Sequence, residues 1–237
     1  MARRSSTTPT GFRGFTPRTL KFLHELSRNN NRDWFQAHKT RYERDVLEPA
    51  LDFVQALERP LSRLSPRLLC VPKRMGGSLL RIYRDTRFAH DKRPYKTNIG
   101  MHFRHDAFRD IHGPGCYFHI GLDECYLGCG IWRPDPQTAT KIRQHILDRP
   151  RAWQAVKRIT AGDSPFEFDG IVMKRVPRGF PADHRDVEDL KRKDFLVVRN
   201  FDEGLLYSPD IVDFTAEHFA QSAPLMRFLC ASLGAKF

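Results

Sequence analysis

Three segments within residues 97–131 alternate apolar and polar residues with a period of two, and short links join them. Ile99, Met101 and Phe103 fall on one side of the first. Cys116, Phe118 and Ile120 fall on one side of the second, and Cys125, Leu127, Cys129 and Ile131 on one side of the third. That periodicity marks strands with one buried face. Short links favour antiparallel pairing over crossover connections. Leu122-Asp123-Glu124 reads as the turn of a hairpin between the second and third segments.

Helical spacing dominates elsewhere. Thr16-Pro17 is a cap and first-turn pair, followed by Leu20, Leu23 and Leu26 on one side of a short helix. Asn29-Asn30-Asn31 ends it, and Asn31 caps a second helix. There Phe35, Tyr42, Val46, Ala50, Phe53 and Leu57 form an apolar stripe until Pro60 and Pro66 end or kink it. Residues 79–83 and 195–199 read as further strands, with fainter signals at 166–169 and 172–176. Asp135-Pro136 opens another helix, a helix follows Pro150, and Pro224 kinks or splits the last helical region. The charged stretch 183–193 reads as a short helix with a solvated face. The expected fold is α+β: an antiparallel sheet with helices packed mainly on one face, in a single domain over residues 15–237. Residues 1–14 read as a disordered basic tail. Arg3, Arg4 and Arg13 make it vaguely similar to a transit peptide, but Pro9, Gly11 and Gly14 would break an amphipathic helix.

Composition narrows the function classes. The formal net charge is +12, which favours polyanionic partners. With 18 Phe, the chain has material for a packed core and is not disordered as a whole. No apolar run approaches a membrane span, so no membrane partner is expected. The 5 cysteines are odd in number and form no CxxC pair, which points to reduced thiols and a cytoplasmic setting. Nucleophile-elbow, P-loop, HExxH and GxGxxG motifs are absent.

The chemistry concentrates at residues 81–96. Arg81, Arg84, Arg87, Lys92, Arg93 and Lys96 share this stretch with only two acids, Asp85 and Asp91, while Ile82, Tyr83, Phe88 and Tyr95 interleave with them. Apolar residues anchor such a loop and its cations face something anionic. Arg84 and Arg87 suit a guanidinium clamp on phosphate or carboxylate. Lys92 and Lys96 add point charges, and Asp85 or Asp91 can orient a guanidinium. Tyr95 either stacks on a base or packs down. The opposing reading is a clasp, in which the two acids pair with the arginines and pin the loop to the sheet.

Beside the loop, the strand face opposite the apolar one carries Tyr117, His119 and Gly121, then Tyr126, Gly128 and Gly130, with Asn98, Gly100 and His102 in the same register. Glycines leave room there and the rings supply polar tips, as in a shallow ligand floor; glycines also allow close approach of another element. His102, His105, His112 and His119 invite a metal reading, but His102 and His105 would point to opposite faces. No metal is expected.

The run Arg84-Asp85-Thr86-Arg87-Phe88, then Asp91-Lys92 and Pro94-Tyr95-Lys96, resembles the conserved hypothetical family known as domain of unknown function 2461, present in bacteria and fungi. The opening, with Asn30, Trp34-Phe35 and Lys39, and the middle, with Tyr117-Phe118-His119-Ile120, Gly128 and Gly130, are similar to it as well. The resemblance implies one domain over nearly the whole chain and no particular activity, cofactor or catalytic residue.

The leading expectation is a pocket for a phosphate-bearing or other anionic ligand between the 84–96 loop and the glycine-floored face. Its ligand-binding residues would be Arg84, Asp85, Arg87, Asp91, Lys92, Tyr95, Lys96 and His119. The alternative is a nucleic-acid-binding module using the same loop and tail, and the third reading is a ligand-free structural protein. Should chemistry occur, His119 or His90 is the first general acid or base to consider. The sequence names no reaction, cofactor or oligomeric state.

Overall fold

The computed structural model describes residues 11–87 and 89–237. Most of the expected basic tail, and Phe88 of the central motif, lie outside those residues. Phe12 packs on Phe15 and Phe53, with ring centroids 5.3 and 5.4 Å away.

Helix α1 (Pro17–Arg28) buries Leu20, Phe22, Leu23 and Leu26. Thr16 occupies its N-cap without a side-chain bond, whereas Asn31 caps α2 (Arg32–Ala37) by accepting from the Trp34 amide at 2.9 Å. The single helix expected after Asn31 is broken into pieces. After α2 come α3 (Lys39–Tyr42), a π-helical turn (Glu43–Leu47) and α4 (Glu48–Leu64). The π turn resets the register of the apolar stripe. Pro60 neither ends nor is excluded from α4, because burial of Leu57 and Leu61 on either side outweighs one missing amide bond.

Five strands form one antiparallel sheet in the order β1-β2-β3-β5-β4. They are β1 (Ile99–Arg104), β2 (Gly115–Ile120), β3 (Cys125–Ile131), β4 (Glu167–Asp169) and β5 (Phe195–Asn200). Residues 79–83 do not form a strand of their own. An isolated bridge sets Leu79 opposite Met101 on the β1 edge, and a second sets Tyr83 opposite Tyr95 within the loop that follows. An edge strand covered this way offers fewer free backbone groups for pairing with other chains.

One sheet face carries the core. Phe53 of α4 meets Phe118 at 4.6 Å, and Phe219 of α8 (Ile211–Gln221) meets Phe103 at 6.0 Å. Helix α9 (Ala223–Ser232) starts at the expected break, with Pro224 in its first turn. Cys116, Cys125 and Cys129 are buried as small apolar groups, and each is a free thiol. The fold is therefore α+β with its helices on one face, as expected.

Helices α5 (Pro136–Asp148) and α6 (Pro150–Lys157) flank α9, and α7 (Val187–Leu190) lies against α5. The charges of 183–193 are a solvated face only in part: Asp183, Arg185, Glu188 and Lys193 are exposed, but two acids are not. Asp186 and Asp189 are buried and hold α6 in place: Trp153 Nε1 donates to Asp189 at 2.8 Å, and Lys157 and Gln154 donate to Asp186 at 3.0 Å. Sequence periodicity could not show this, because the partners lie on a helix some thirty residues earlier in the chain.

Candidate functional site

The second sheet face is left open, and it forms the floor of a cleft of about 570 Å³. That volume lies within the usual range of small-molecule sites. Its floor is built by register. His102 sits opposite Tyr117, Tyr117 opposite Gly128, His119 opposite Gly100 and Tyr126, and Gly115 opposite Gly130. Glycines and rings are thus interspersed across the strands. A Cβ on Gly100 would lie 2.4 Å from the Tyr117 hydroxyl, and one on Gly115 would lie 2.5 Å from His102 Nε2. Both glycines are there because aromatic tips lie flat over them.

At one end the cleft is bounded by Arg84, Asp85, Lys96 and Asn98. At the other stand Ile111 and Trp132, both exposed apolar side chains. Arg133 covers the Trp132 ring at 4.5 Å, and His112 stacks beside it. The wall beyond the floor is Leu80, Leu196, Val198 and Asp169.

The basic loop is zipped shut at its base: the Arg84 amide donates to the Pro94 carbonyl at 2.9 Å and the Lys96 amide to Ile82 at 2.7 Å. Asn30 clips it to the helical layer, donating to the Tyr95 carbonyl at 3.0 Å and accepting from the Tyr95 amide at 3.1 Å. Tyr95 itself packs down, buried and stacked on Phe35 at 4.1 Å.

The arginines pair within the loop. Arg84 reaches Asp91 at 2.6 Å, Arg93 shares the same carboxylate at 2.7 Å, and Arg87 pairs with Asp85 at 2.7 Å. Arg93, then Arg84, hold the Asp91 carboxyl far below the usual range, and Arg87 lowers Asp85 to about 2. Part of the clasp reading is therefore present. Lys92 donates to the Thr86 carbonyl at 3.0 Å and, like Arg87, lines neither this cleft nor the smaller cavity beside Asp91.

Lys96 differs from the rest. Its ammonium is half-buried, lines the cleft, and has no carboxylate within ion-pair distance among the described residues. Burial, and then the charge of Arg81, push its pKa below the ordinary lysine value. A partly desolvated cation without a counter-ion is a ready partner for an anion.

Of the expected ligand residues, the structure brings Arg84, Asp85 and Lys96 into the cleft. Asp91 and Tyr95 line a smaller cavity behind them. His119 does not line the cavity; it is stacked on Tyr126 at 4.5 Å with Nδ1 3.2 Å from the Tyr117 hydroxyl, and so touches the cleft only through these two lining residues. His90 is exposed. Among the described residues, no cluster of three or more His, Cys, Asp or Glu side chains could hold a metal ion. Sequence reasoning missed Trp132, although the period-two pattern of Tyr126, Gly128 and Gly130 leads directly to it. Ile111 and Asp169 carried no signal.

Burial lowers the pKa of His102 and His119 to about 4, so both are neutral at neutral pH and the cationic end of the cleft owes nothing to them. An unfolded histidine takes its proton near 6.5. Between those values the unfolded chain binds more protons, so stability falls as pH drops from 6.5 towards 4. For His102, the more buried, the loss is about 2–3 kcal/mol. Melting curves across this interval are expected to show the decline, and His102→Gln to flatten it; an equal slope in that variant would refute the assignment. Asp85 acts only further down, between its unfolded value of 3.8 and about 2, so the two effects separate on the pH axis.

No helix among the described residues is long and apolar enough to cross a membrane. Neither a curated protein nor a solved structure matches the chain. The model of one family, described as conserved hypothetical protein (DUF2461), matches residues 18–228, which takes in the helical layer, the basic loop and every strand lining the cleft. The chain belongs to the DUF2461 family.

Proposed function

We propose that the cleft binds a phosphate-bearing or other anionic small molecule, with the anion held by Lys96 and Arg84 and the remainder lying over the glycine-spaced floor. The observation that carries this reading is Lys96: a half-buried ammonium, unpaired among the described residues, at the cationic end of a ligand-sized cleft. Leaving it without a counter-ion lowers stability, and binding an anion returns that loss. Arg84 contributes the donors that Asp91 does not use; one guanidinium carries five.

The floor suits a ligand with a ring. Tyr117 and Tyr126 present edges and hydroxyls, while Leu80, Leu196 and Val198 supply apolar contact. Burial raises both tyrosine hydroxyls above their usual pKa, Tyr126 to about 12, so they remain donors at neutral pH. Transition-state or acid–base roles are not required for this reading.

A thermal-shift panel of inorganic phosphate, nucleotides, sugar phosphates and aryl phosphates tests it. Ligand at a hundred times its dissociation constant adds about 2.7 kcal/mol, which for a chain of this size is a rise of roughly 5–10 °C. At least one member is expected to give such a rise and to keep it at physiological salt. A panel with no shift sinks the reading and leaves the clasp. The nucleic-acid alternative rests on the surplus of 40 Lys and Arg over 28 Asp and Glu. It would show instead as affinity that grows with oligonucleotide length and collapses as salt rises.

A further inference from the structure

A smaller cavity of about 300 Å³ lies behind the cationic end of the cleft, lined by Asn30, Asp91, Arg93 and Thr97 together with Tyr95. Arg84, Lys96 and Asn98 line both cavities. The cations therefore do not close the site. They stand at a junction, with a ring-bearing, partly apolar space on one side and a mainly polar space on the other.

We propose that the ligand carries its anion in the middle: a phosphodiester with a planar substituent in the larger cavity and a hydroxyl-rich substituent in the smaller. This rests on the anion-binding reading above and narrows its ligand class. Geometry supports the choice. Lys96 is uncompensated, and Arg84 and Arg93 share the one carboxylate of Asp91, so the junction between the two spaces is cationic. A phosphodiester sets its anion there and sends one substituent into each cavity. A terminal phosphate monoester would leave the smaller cavity to water. The lining groups behind the junction suit hydroxyls: the Asn30 amide is already engaged with Tyr95, but the Thr97 hydroxyl and the remaining donors of Arg93 are available to a polar substituent.

Such a diester occurs both in free dinucleotides and within a single nucleic-acid strand. Titration calorimetry with the four 5′-mononucleotides, the matching dinucleoside monophosphates and oligonucleotides of increasing length tests the shared chemistry and separates its sources. At least one dinucleoside monophosphate is expected to bind about ten-fold tighter than its mononucleotide, the yield of one or two extra hydrogen bonds. Thr97→Val, which keeps its shape and loses its hydroxyl, should cost the diester several-fold and leave the mononucleotide unchanged. An affinity that stops rising at two nucleotides identifies a small-molecule site; one that keeps rising identifies a strand, and both outcomes uphold the internal anion. Mononucleotides binding as tightly as their diesters would overturn it while leaving the anion site standing. Binding of neither class overturns both.

Discussion

Gly130→Ala is expected to lower the melting temperature by roughly 10 °C, the consequence of losing about 3 kcal/mol or more in a chain of this size. Gly130 has φ 137°, a conformation that side-chain-bearing residues rarely adopt. A Cβ there would stand 2.1 Å from the Phe195 carbonyl oxygen and 2.6 Å from Leu196 Cα. Both are backbone atoms of the paired strand β5, so no side chain can rotate to make room. Strands β3 and β5 would have to part, and they join the β1–β2 half of the sheet to β4. Gly128 is the internal control. It lies two residues earlier on the same face, and an added Cβ would meet only ordinary contacts at 3.8–3.9 Å. Gly128→Ala is therefore expected to melt within about 2 °C of the parent, in line with a substitution that touches no strained feature. Equal melting of the two variants would show that the close approach at Gly130 is not a constraint.

Lys96→Glu is expected to weaken the tightest compound of the phosphate panel by about a hundred-fold or more, because it removes a partly desolvated charge partner and sets a like charge in its place. Arg87→Ala should change the same affinity by less than about three-fold, since Arg87 is exposed, pairs with Asp85 and lines neither cavity. Lys96→Met separates site from scaffold. It keeps the apolar stem and relieves the burial of an unpaired ammonium, so it should melt at or above the parent temperature while losing ligand. A Lys96→Met protein that is markedly destabilised, or that binds normally, would place Lys96 in the scaffold. The pH dependence follows from the same group. Lys96 binds an anion when protonated and its pKa is depressed, so affinity should fade as pH rises through a value lower than that of an ordinary lysine.

Asp85 and Asp91 explain why one loop can be both clasp and site. Each carboxylate accepts from a neighbouring guanidinium, which fixes the shape of the loop, and together they still leave Lys96 uncompensated. The parts that pair with the protein hold the part that does not.

The strands of the sheet, the hairpin turn, the Asn31 and Asp135 caps and the split at Pro224 were legible in the chain, because each depends on side-chain periodicity or on bonds to residues two or three positions away. The glycine-and-ring floor was legible for the same reason: strands set by alternation carry their second face with them. Only the folded structure decided which cations are satisfied. Composition showed a surplus in the 81–96 stretch, but the choice of Arg84 over Lys96 as the partner of Asp91 depends on distances of a few ångströms across a folded loop. Likewise, the chain gave no means of seeing that Ile111 would line the same cleft as the basic loop, or that Asp189 would be buried under Trp153. Those contacts join residues far apart in sequence. Local propensity carries no information about them, and the packing of the helical layer against one sheet face brings them together or leaves them open.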